Sequence, residues 1–348
     1  MAGITAKDLA KKLGISPSAV SLALNDKPGV SQKTRNLVLE TAMQMGYTKS
    51  SSSAGFHTGK TICFIRFGGS VINAAEHTSF SSFILQGVEA RATELGYNTQ
   101  LRYLGAGDMY NRQTLEFIRQ AAGVIFLGTD LTPSQLPEMS QFFDQLDNCP
   151  VVIVDSFLMQ NRVDCIGNDS FGGAKLAAEH LLRAGHRQLG YVRAKQRILN
   201  LNQREQGVLS ALADAGEAPP VYIDVDISSD GAFRDFDSWL GSQSKLPDAL
   251  FIENDILAAA VIRALKSHNI QIPEDISLIG FDNIPLCEML DPPLSTVHLC
   301  KQELGSHAMD QLHRRICAGQ VPHRMNNLPL VSTTLSTYLI SRASVKKR

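Results

Sequence analysis

The chain from Thr61 onward alternates between two hydrophobic patterns. Runs such as TICFIRF, PVVIVDS and ISLIGF are apolar almost throughout, which is typical of strands buried on both faces of a parallel sheet. Segments such as SSFILQGVEARATELG and GGAKLAAEHLLRAG place apolar residues three and four positions apart, which predicts amphipathic helices. The alternation occurs in two rounds, the second beginning near Val163. The sequence therefore predicts an α/β fold with two doubly wound parallel-sheet lobes.

Residues 1–48 show helical spacing without strands. Three short apolar segments each follow a residue that can cap a helix. The predicted caps and helices are Thr5 before Ala6–Leu13, Ser16 before a helix that begins at Pro17, and Ser31 before a helix from Gln32 to Met45. Two helices joined by a short turn that contains Gly14 predict a helix-turn-helix, whose core the third helix completes. A three-helix domain with no role in DNA binding would show the same pattern.

Charge divides the chain at the same place. Residues 1–60 contain eight lysines and arginines and three acidic residues, a net charge of +5, so the rest of the chain carries −6. A basic segment attached to an acidic body is typical of a module that binds a polyanion. A solvated basic face would have the same composition, so the charge alone does not decide the function.

Composition and motifs exclude several classes of protein. The chain is 44% hydrophobic and 19% charged, as in ordinary globular proteins. It has no apolar run that could cross a membrane and no apolar signal segment, so we expect a cytoplasmic protein without membrane contact. The six cysteines lack metal-ligand spacing, and we expect no metal and no cofactor. The motifs GxxxxGKS/T, GxGxxG, HExxH and GxSxG are absent, so we expect no enzyme.

The N-terminal segment ITAKDLAKKLGISPSAVSLALNDKPGVSQKTRNLVLETAMQMGY resembles the DNA-binding domain of the LacI/GalR transcriptional regulators. The resemblance implies that the second helix enters the major groove of double-stranded DNA. The family positions that contact bases correspond here to Pro17, Ser18 and Leu22. The full set of implied DNA-binding residues is Thr5, Ser16, Pro17, Ser18, Ser21, Leu22, Asn25 and Lys33.

Two residues of the second helix differ from the family pattern. Ala19 replaces a threonine, and Leu22 replaces an arginine that would donate two hydrogen bonds to guanine. An apolar Leu22 can instead contact a thymine methyl group. We therefore expect weaker direct readout of bases and a preference shifted away from guanine at that position.

The segment TKSSSSAGFHTGK, within which we place a flexible linker at residues 49–60, also differs from the family. Family members usually have an N-x-x-A-R-x-L segment here, which forms a hinge helix that inserts leucines into the minor groove. Either Phe56 supplies a substitute for those leucines, or the hinge helix does not form. We favour the second interpretation.

The body resembles the effector-binding domain of the same family, which is periplasmic-binding-protein-like. The segments GNDSFGGAKLAAEHLLRAGHRQLGYV and FIENDILAAAVIRALKSHNIQIPEDISLIGFDNIPLCEMLDPPLSTV carry the resemblance. The resemblance implies two lobes between which the chain crosses three times, and we place the crossings near residues 162, 291 and 324. The expected domains are 1–48 for DNA binding, 49–60 for the linker, 61–162 with 292–323 for the N-terminal lobe, and 163–291 with 324–341 for the C-terminal lobe.

Ligands of doubly wound folds bind at the carboxyl ends of the strands, so polar residues there are candidates for effector binding. The candidates at strand ends are Asp155, Asn254, Asp255 and Asp282. The resemblance implies Arg204, which matches the arginine of the family's R-x-x-G motif, and Phe80, which aligns with the first phenylalanine of its N-P-F-F stretch. Asn202, with Asn200, adds an amide donor nearby. Carboxylates and an arginine suit sugar hydroxyls, and an aromatic ring can stack on a sugar. The alternatives are structural: Asp255 can cap a helix, Asp282 can lie in a turn, and Arg204 can form a surface ion pair.

These observations predict a sequence-specific transcription regulator, a repressor of carbohydrate-use genes controlled by a small sugar between the lobes. We expect a homodimer on a pseudo-palindromic operator, because heptads that would form a tetramer are absent. One alternative is a cytoplasmic sugar-binding protein whose DNA-binding segment is vestigial or non-specific. Another is an enzyme with a regulatory DNA-binding segment, which the missing catalytic motifs disfavour.

Overall fold

A computed structural model describes residues 6–24, 29–31, 34, 37–38, 41, 61–67, 78–146, 149–157, 163–242, 245–319 and 328–348. The chain divides into two compact units, Met1–Thr58 and Gly59–Arg348. No helix within these ranges is long and apolar enough to span a membrane. We refer to the first unit as the head and to the second as the body.

The head contains helices α1 (Ala6–Leu13) and α2 (Pro17–Leu24). The Ala19 N–H donates to Ser16 Oγ at 3.1 Å, which confirms that Ser16 caps α2. Thr34 N–H donates in the same way to Ser31 Oγ at 3.1 Å, so Ser31 caps the third helix as predicted. The core consists of Leu9, Ala10, Val20, Ala23 and Val38. Of the predicted third helix, residues 34, 37, 38 and 41 are described, and all are helical.

Lobe 1 of the body is a parallel six-stranded sheet in the order β11-β5-β4-β3-β1-β2. Its strands are β1 (Thr61–Phe67), β2 (Asn98–Leu104), β3 (Gly123–Leu127), β4 (Val151–Val154), β5 (Asp164–Asn168) and β11 (Ser332–Leu335). Its helices are α3 (Thr78–Glu94), α4 (Arg112–Arg119), α5 (Leu136–Asp144) and α11 (Lys301–Gly319). Apolar residues of α3 and α11 cover one face of the sheet, and those of α4 and α5 cover the other. Burial on both faces explains why the strands are apolar almost throughout.

Lobe 2 is a six-stranded sheet in the order β12-β10-β9-β8-β6-β7, in which only β12 is antiparallel to its neighbour. Its strands are β6 (Leu189–Ala194), β7 (Val221–Val225), β8 (Ala249–Ile252), β9 (Ser277–Asp282), β10 (Ser295–His298) and β12 (Tyr338–Ile340). Its helices are α6 (Ser170–Arg183), α7 (Leu199–Asp214), α8 (Ser229–Ser242), α9 (Asp255–Ser267) and the short α10 (Leu286–Met289). Helices α6 and α7 cover one face, and α8 and α9 cover the other.

The three crossings between the lobes lie later in the chain than residues 162, 291 and 324. Strand β5 pairs with β4, so the chain leaves lobe 1 after Asn168. Strand β10 pairs with β9, so the second crossing follows His298. The third lies between Leu335 of β11 and Tyr338 of β12. The predicted lobe boundaries were wrong because a short apolar strand can add to either sheet, and only the hydrogen-bonded neighbour decides which.

Candidate effector cavity and DNA-binding surface

A cavity of about 60 Å³ lies between the lobes. Its wall is formed mainly by residues that follow strands: Thr129 and Asp130 after β3, Asp155 after β4, Gln196 and Ile198 after β6, Ile227 after β7, Asn254 and Ile256 after β8, and Asp282 and Ile284 at the end of β9. Helix α7 adds Asn200, Leu201 and Arg204, and α3 adds Phe80. The strand ends of both sheets thus meet at one site, as the doubly wound topology requires.

Arg204 and Asp282 form the charged wall of lobe 2. Arg204 Nη2 donates to Asp282 Oδ1 at 2.9 Å, and Nη1 donates to the carbonyl oxygen of Glu253. The guanidinium lies 3.9 Å from the centre of the Phe281 ring. Arg204 is 5% exposed, and its Nε has no hydrogen-bond partner among the described residues. The surface ion pair considered as an alternative for Arg204 is therefore excluded.

Glu253, which the sequence reasoning missed, anchors the loop beside Arg204. Its fully buried carboxylate accepts from Tyr191 Oη at 2.9 Å, Ala194 N at 2.7 Å and Arg197 Nη1 at 2.6 Å. Burial raises the pKa of Glu253, which Arg197 counteracts. These bonds fix the loop that carries Gln196 into the cavity wall. A glutamate directly after the apolar run ALFI was the available signal.

Asp155 is the corresponding carboxylate of lobe 1. It is 3% exposed and accepts from Thr129 Oγ1 at 2.8 Å. Asn200 Nδ2, on helix α7 of lobe 2, donates to its Oδ2 at 3.0 Å and to its carbonyl oxygen at 2.9 Å. Burial raises the pKa of Asp155 to about 7, against the opposing hydrogen bond from Thr129. The contact between Asn200 and Asp155 therefore joins the two lobes beside the cavity.

Asn254 and Asp255 are neighbours with different roles. Asn254 Oδ1 caps α9 by accepting from Leu257 N at 2.8 Å, and the residue also lines the cavity. Asp255 is fully buried and does not line the cavity. Its carboxylate accepts from Thr296 Oγ1 at 2.7 Å and from Ile284 N at 3.1 Å, and burial raises its pKa to about 7. Asp255 thus connects the segment after β9 to helix α9. The capping role considered for Asp255 belongs to Asn254.

Asn202 was also a candidate, and the structure places it outside the cavity wall. Its Oδ1 accepts from Arg197 Nε at 3.1 Å. Residues 200 and 204 are four apart on α7 and share a face, whereas residue 202 points away from it. Helical periodicity was the signal that favoured Asn200. Phe80, in the first turn of α3, does line the cavity and packs against the cores of both lobes.

The candidate DNA-binding residues are partly described. Pro17, Ser18 and Ser21 are exposed on α2. Leu22 is partly buried, and a Cβ atom placed on Gly29 would lie 3.2 Å from its Cδ1, so Leu22 packs near Gly29. Thr5, Asn25, Lys33 and the predicted linker at 49–60 lie outside the described residues.

Comparisons with known proteins give a family match for the head and another for the body. Residues 5–50 match the model of bacterial regulatory proteins of the lacI family, and residues 178–345 match that of the periplasmic binding protein-like domain. The HTH-type transcriptional repressor PurR of Haemophilus influenzae (strain PittEE) is 30% identical over 321 residues, which cover 90% of this chain and 91% of that protein. PurR of Pasteurella multocida (strain Pm70) is 29% identical, with 90% and 92% covered.

Solved structures show the same fold. The lac repressor dimer bound to operator and the anti-inducer ONPF has a TM-score of 0.74 at 21% identity, covering 99% of this chain and 100% of that one. A LacI family regulator from Enterococcus faecium with bound ribose has a TM-score of 0.67 at 24% identity, covering 83% and 100%. The CelR–cellobiose complex has a TM-score of 0.66 at 22% identity, covering 98% and 99%.

A helix-turn-helix head and a two-lobed body with a cavity at its strand ends define a ligand-responsive transcriptional regulator, which is not an enzyme. The chain belongs to the LacI family. Proteins of this family bind DNA operators and small-molecule effectors as dimers.

Proposed function

We propose that this regulator represses carbohydrate-use genes and that a small sugar in the cavity between the lobes controls it. The observation that carries the proposal is the composition of the cavity wall. Carboxylates, carboxamides and one arginine project from both lobes around a lining of Phe80 and four isoleucines. Carboxylate oxygens accept hydrogen bonds from hydroxyl groups, and Arg204 Nε is a buried donor without a partner among the described side chains. Phe80 offers a flat surface to the C–H face of a sugar ring.

The size of the cavity favours a small ligand. About 60 Å³ has room for about four to six water molecules, fewer than the non-hydrogen atoms of a monosaccharide and well below the roughly 300 to 1,000 Å³ of sites for drug-sized ligands. The lobes would have to separate slightly to admit a monosaccharide such as the ribose in the regulator from E. faecium, and much further to admit a disaccharide such as the cellobiose in CelR.

A purine base is the second candidate effector, because the curated relatives are repressors named PurR. Arg204, Asp282 and Asn254 could pair with the polar edge of a base, and Phe80 could stack on its ring. Among the described residues of the wall, Phe80 is the only aromatic side chain, and four isoleucines line much of the rest. For this reason we place the sugar first.

On DNA, we propose that two heads of a dimer bind a pseudo-palindromic operator. The exposed Pro17, Ser18 and Ser21 would face the major groove, with Ser16 close to a phosphate. Thr5, Asn25 and Lys33 are proposed as further contacts. Because Leu22 packs near Gly29, its contact with a thymine methyl would be limited to the part of the side chain that remains exposed. The head therefore offers hydroxyl groups rather than a guanidinium to the bases.

Fluorescence anisotropy of the full-length protein on DNA upstream of its own gene, across a salt series, tests the proposal. We expect nanomolar binding to one protected palindrome and release by one member of a panel of free monosaccharides and purine bases. The variant Arg204→Ala should bind the same DNA without release. Micromolar, steeply salt-dependent binding to any sequence would support the alternative of a sugar-binding protein with a non-specific head. Release by a purine base alone would favour the second candidate effector.

The contribution of Leu22 is tested separately with Leu22→Arg. Arginine donates two hydrogen bonds to guanine, so selected operator sites should gain a guanine at one position of each half-site, worth about 1 to 3 kcal/mol of discrimination. Sequencing of sites selected by the wild type and by the variant measures this directly. Identical site preferences would show that residue 22 does not read a base.

A further inference from the structure

The positive charge in the cavity wall is already neutralised. Arg204 is the only lysine or arginine among the described residues that line the cavity. It pairs with Asp282 at 2.9 Å, its second terminal nitrogen donates to the Glu253 carbonyl, and Phe281 covers one face of the guanidinium. Nε has no partner among the described residues, and each terminal nitrogen keeps a second N–H group. Arg204 therefore offers N–H donors to a ligand, but Asp282 already balances its charge.

Among the residues that the structure describes, the wall contains more carboxylates than cations. Asp130, Asp155 and Asp282 all line the cavity beside the single arginine. Asp155 accepts hydrogen bonds from the neutral groups of Thr129, Asn168 and Asn200, and no cation among the described residues is hydrogen-bonded to it. A ligand in this cavity meets a buried carboxylate on the side of lobe 1 and an ion pair on the side of lobe 2.

Neighbouring cations are held elsewhere. Lys301 donates to the carbonyl oxygens of Asp282, Asn283 and Leu299 and does not line this cavity. Arg197 pairs with the buried Glu253 at 2.6 Å and with Glu205 at 3.1 Å. Turning either side chain toward a ligand would leave those groups buried without partners, which is strongly unfavourable.

A phosphate ester carries a charge of about −1.5 to −2 at neutral pH and needs cationic or backbone N–H donors to replace its hydration. The described part of this wall supplies one guanidinium, whose charge Asp282 balances, and at least one facing carboxylate. We infer that the cavity selects an unphosphorylated, non-anionic monosaccharide and excludes its phosphate ester. The inference rests on the proposed sugar effector and names the form of the sugar. Phosphoryl transfer to that sugar is then the class of reaction that removes the signal.

Calorimetry of the full-length protein with matched pairs tests this selection: ribose and ribose 5-phosphate, glucose and glucose 6-phosphate, fructose and fructose 6-phosphate. For the pair whose free sugar binds, we expect the phosphate to bind at least about 100-fold more weakly, because like charges in a buried site repel strongly. At about pH 8.5, where Asp155 with its pKa of about 7 is ionised, Asp155→Asn should reduce this difference in affinity about tenfold by removing one buried negative charge. Asp214→Asn, at an exposed ion pair with Lys175, is the matched control and should leave the difference in affinity between sugar and sugar phosphate unchanged. Equal or tighter binding of the phosphate by the wild type would overturn the inference.

A second measurement does not depend on which sugar binds. Inorganic phosphate is titrated to tens of millimolar while the ¹⁵N resonance of Arg204 Nε, assigned with Arg204→Lys, is followed by NMR. We expect no saturable shift in the wild type. A saturable shift would show that the cavity accepts an anion and would contradict the inference. If no sugar binds in calorimetry, the proposed sugar effector fails, while the phosphate titration still decides whether the cavity excludes anions.

Discussion

Asp155 and Asp282 line the same cavity from opposite lobes, and both lie at the carboxyl end of a strand. Each follows a parallel strand, and each adopts a positive φ, 59° for Asp155 and 105° for Asp282, which is unusual for a residue other than glycine. Their surroundings differ. Asp282 is paired with Arg204 from its own lobe, whereas Asp155 is buried among neutral donors, one of which belongs to the other lobe.

The charged wall of lobe 2 is therefore assembled within one lobe, whereas the surroundings of Asp155 depend on contact with the other lobe. The side-chain hydrogen bonds of Asp282, Arg204 and Glu253 all lie within lobe 2, so a separation of the lobes would leave them in place. The same separation would break the hydrogen bonds from Asn200 to Asp155 and expose Asp155 to water. The backbone strain and the burial of Asp155 are therefore maintained by contact between the two lobes. A ligand can compete with Asn200 for the Asp155 carboxylate.

The largest effect is expected from Arg204→Ala, which would make the wall of lobe 2 resemble that of lobe 1. It leaves Asp282 without its cation, so the free energy of unfolding should fall by about 3 kcal/mol. Effector binding should weaken by about 100-fold or more, because a charge-assisted donor is lost. Chemical denaturation and calorimetry measure the two effects. Arg204→Lys keeps the charge but not the fork of donors, so it should recover stability more than binding.

Asp155→Asn should alter the pH dependence of stability. The pKa of Asp155 rises from 3.8 to about 7 on folding, so the native state binds the extra proton between these values. The stability that this group contributes is fully present below about pH 4 and is lost as pH rises through about 7. Between about pH 5 and about pH 8 the wild type should lose about 2 to 3 kcal/mol from this group, and the variant should not.

Denaturant titrations of both proteins at several pH values provide the measurement. Asp255, whose pKa is also raised to about 7, remains in both proteins and supplies a common background. An identical pH dependence in the two proteins would mean that Asp155 is already ionised in the folded state. The contrast with Asp282 would then disappear.

The smallest effect is expected from Asn200→Ala, which removes the contact between the lobes. Loss of its hydrogen bonds to Asp155 should lower stability by about 1 kcal/mol and increase hydrogen exchange at the strand ends around the cavity. Asn202→Ala, on the same helix but outside the cavity wall, is the control. Equal exchange in the two variants would show that Asn200 does not hold the lobes closed.

The sequence predicted what depends on local pattern. Strand ends located Asp155, Asn254 and Asp282 at one site, because parallel strands bring their carboxyl ends to the same edge. Arg204, on helix α7, came from the resemblance to the family's R-x-x-G motif. It could not separate Asp255 from Asn254, since both follow β8 and only burial distinguishes them. Glu253 and Arg197 were missed because their role depends on a loop and a strand that pack together only in the folded lobe. The crossings were misplaced because strand pairing is not a local property.

Strands β11 and β12 have a consequence for how the body is made. They are separated only by Ser336 and Thr337, yet β11 completes the sheet of lobe 1 and β12 completes that of lobe 2. On the ribosome, the other five strands of lobe 1 are complete once Asn168 has emerged. Its sixth strand, β11, follows only after well over a hundred further residues have been synthesised. At about 5 to 20 residues per second, that delay is on the order of ten seconds or more. Throughout it, β5 presents an unpaired edge, so nascent chains depend on dilution or chaperones to avoid pairing with one another.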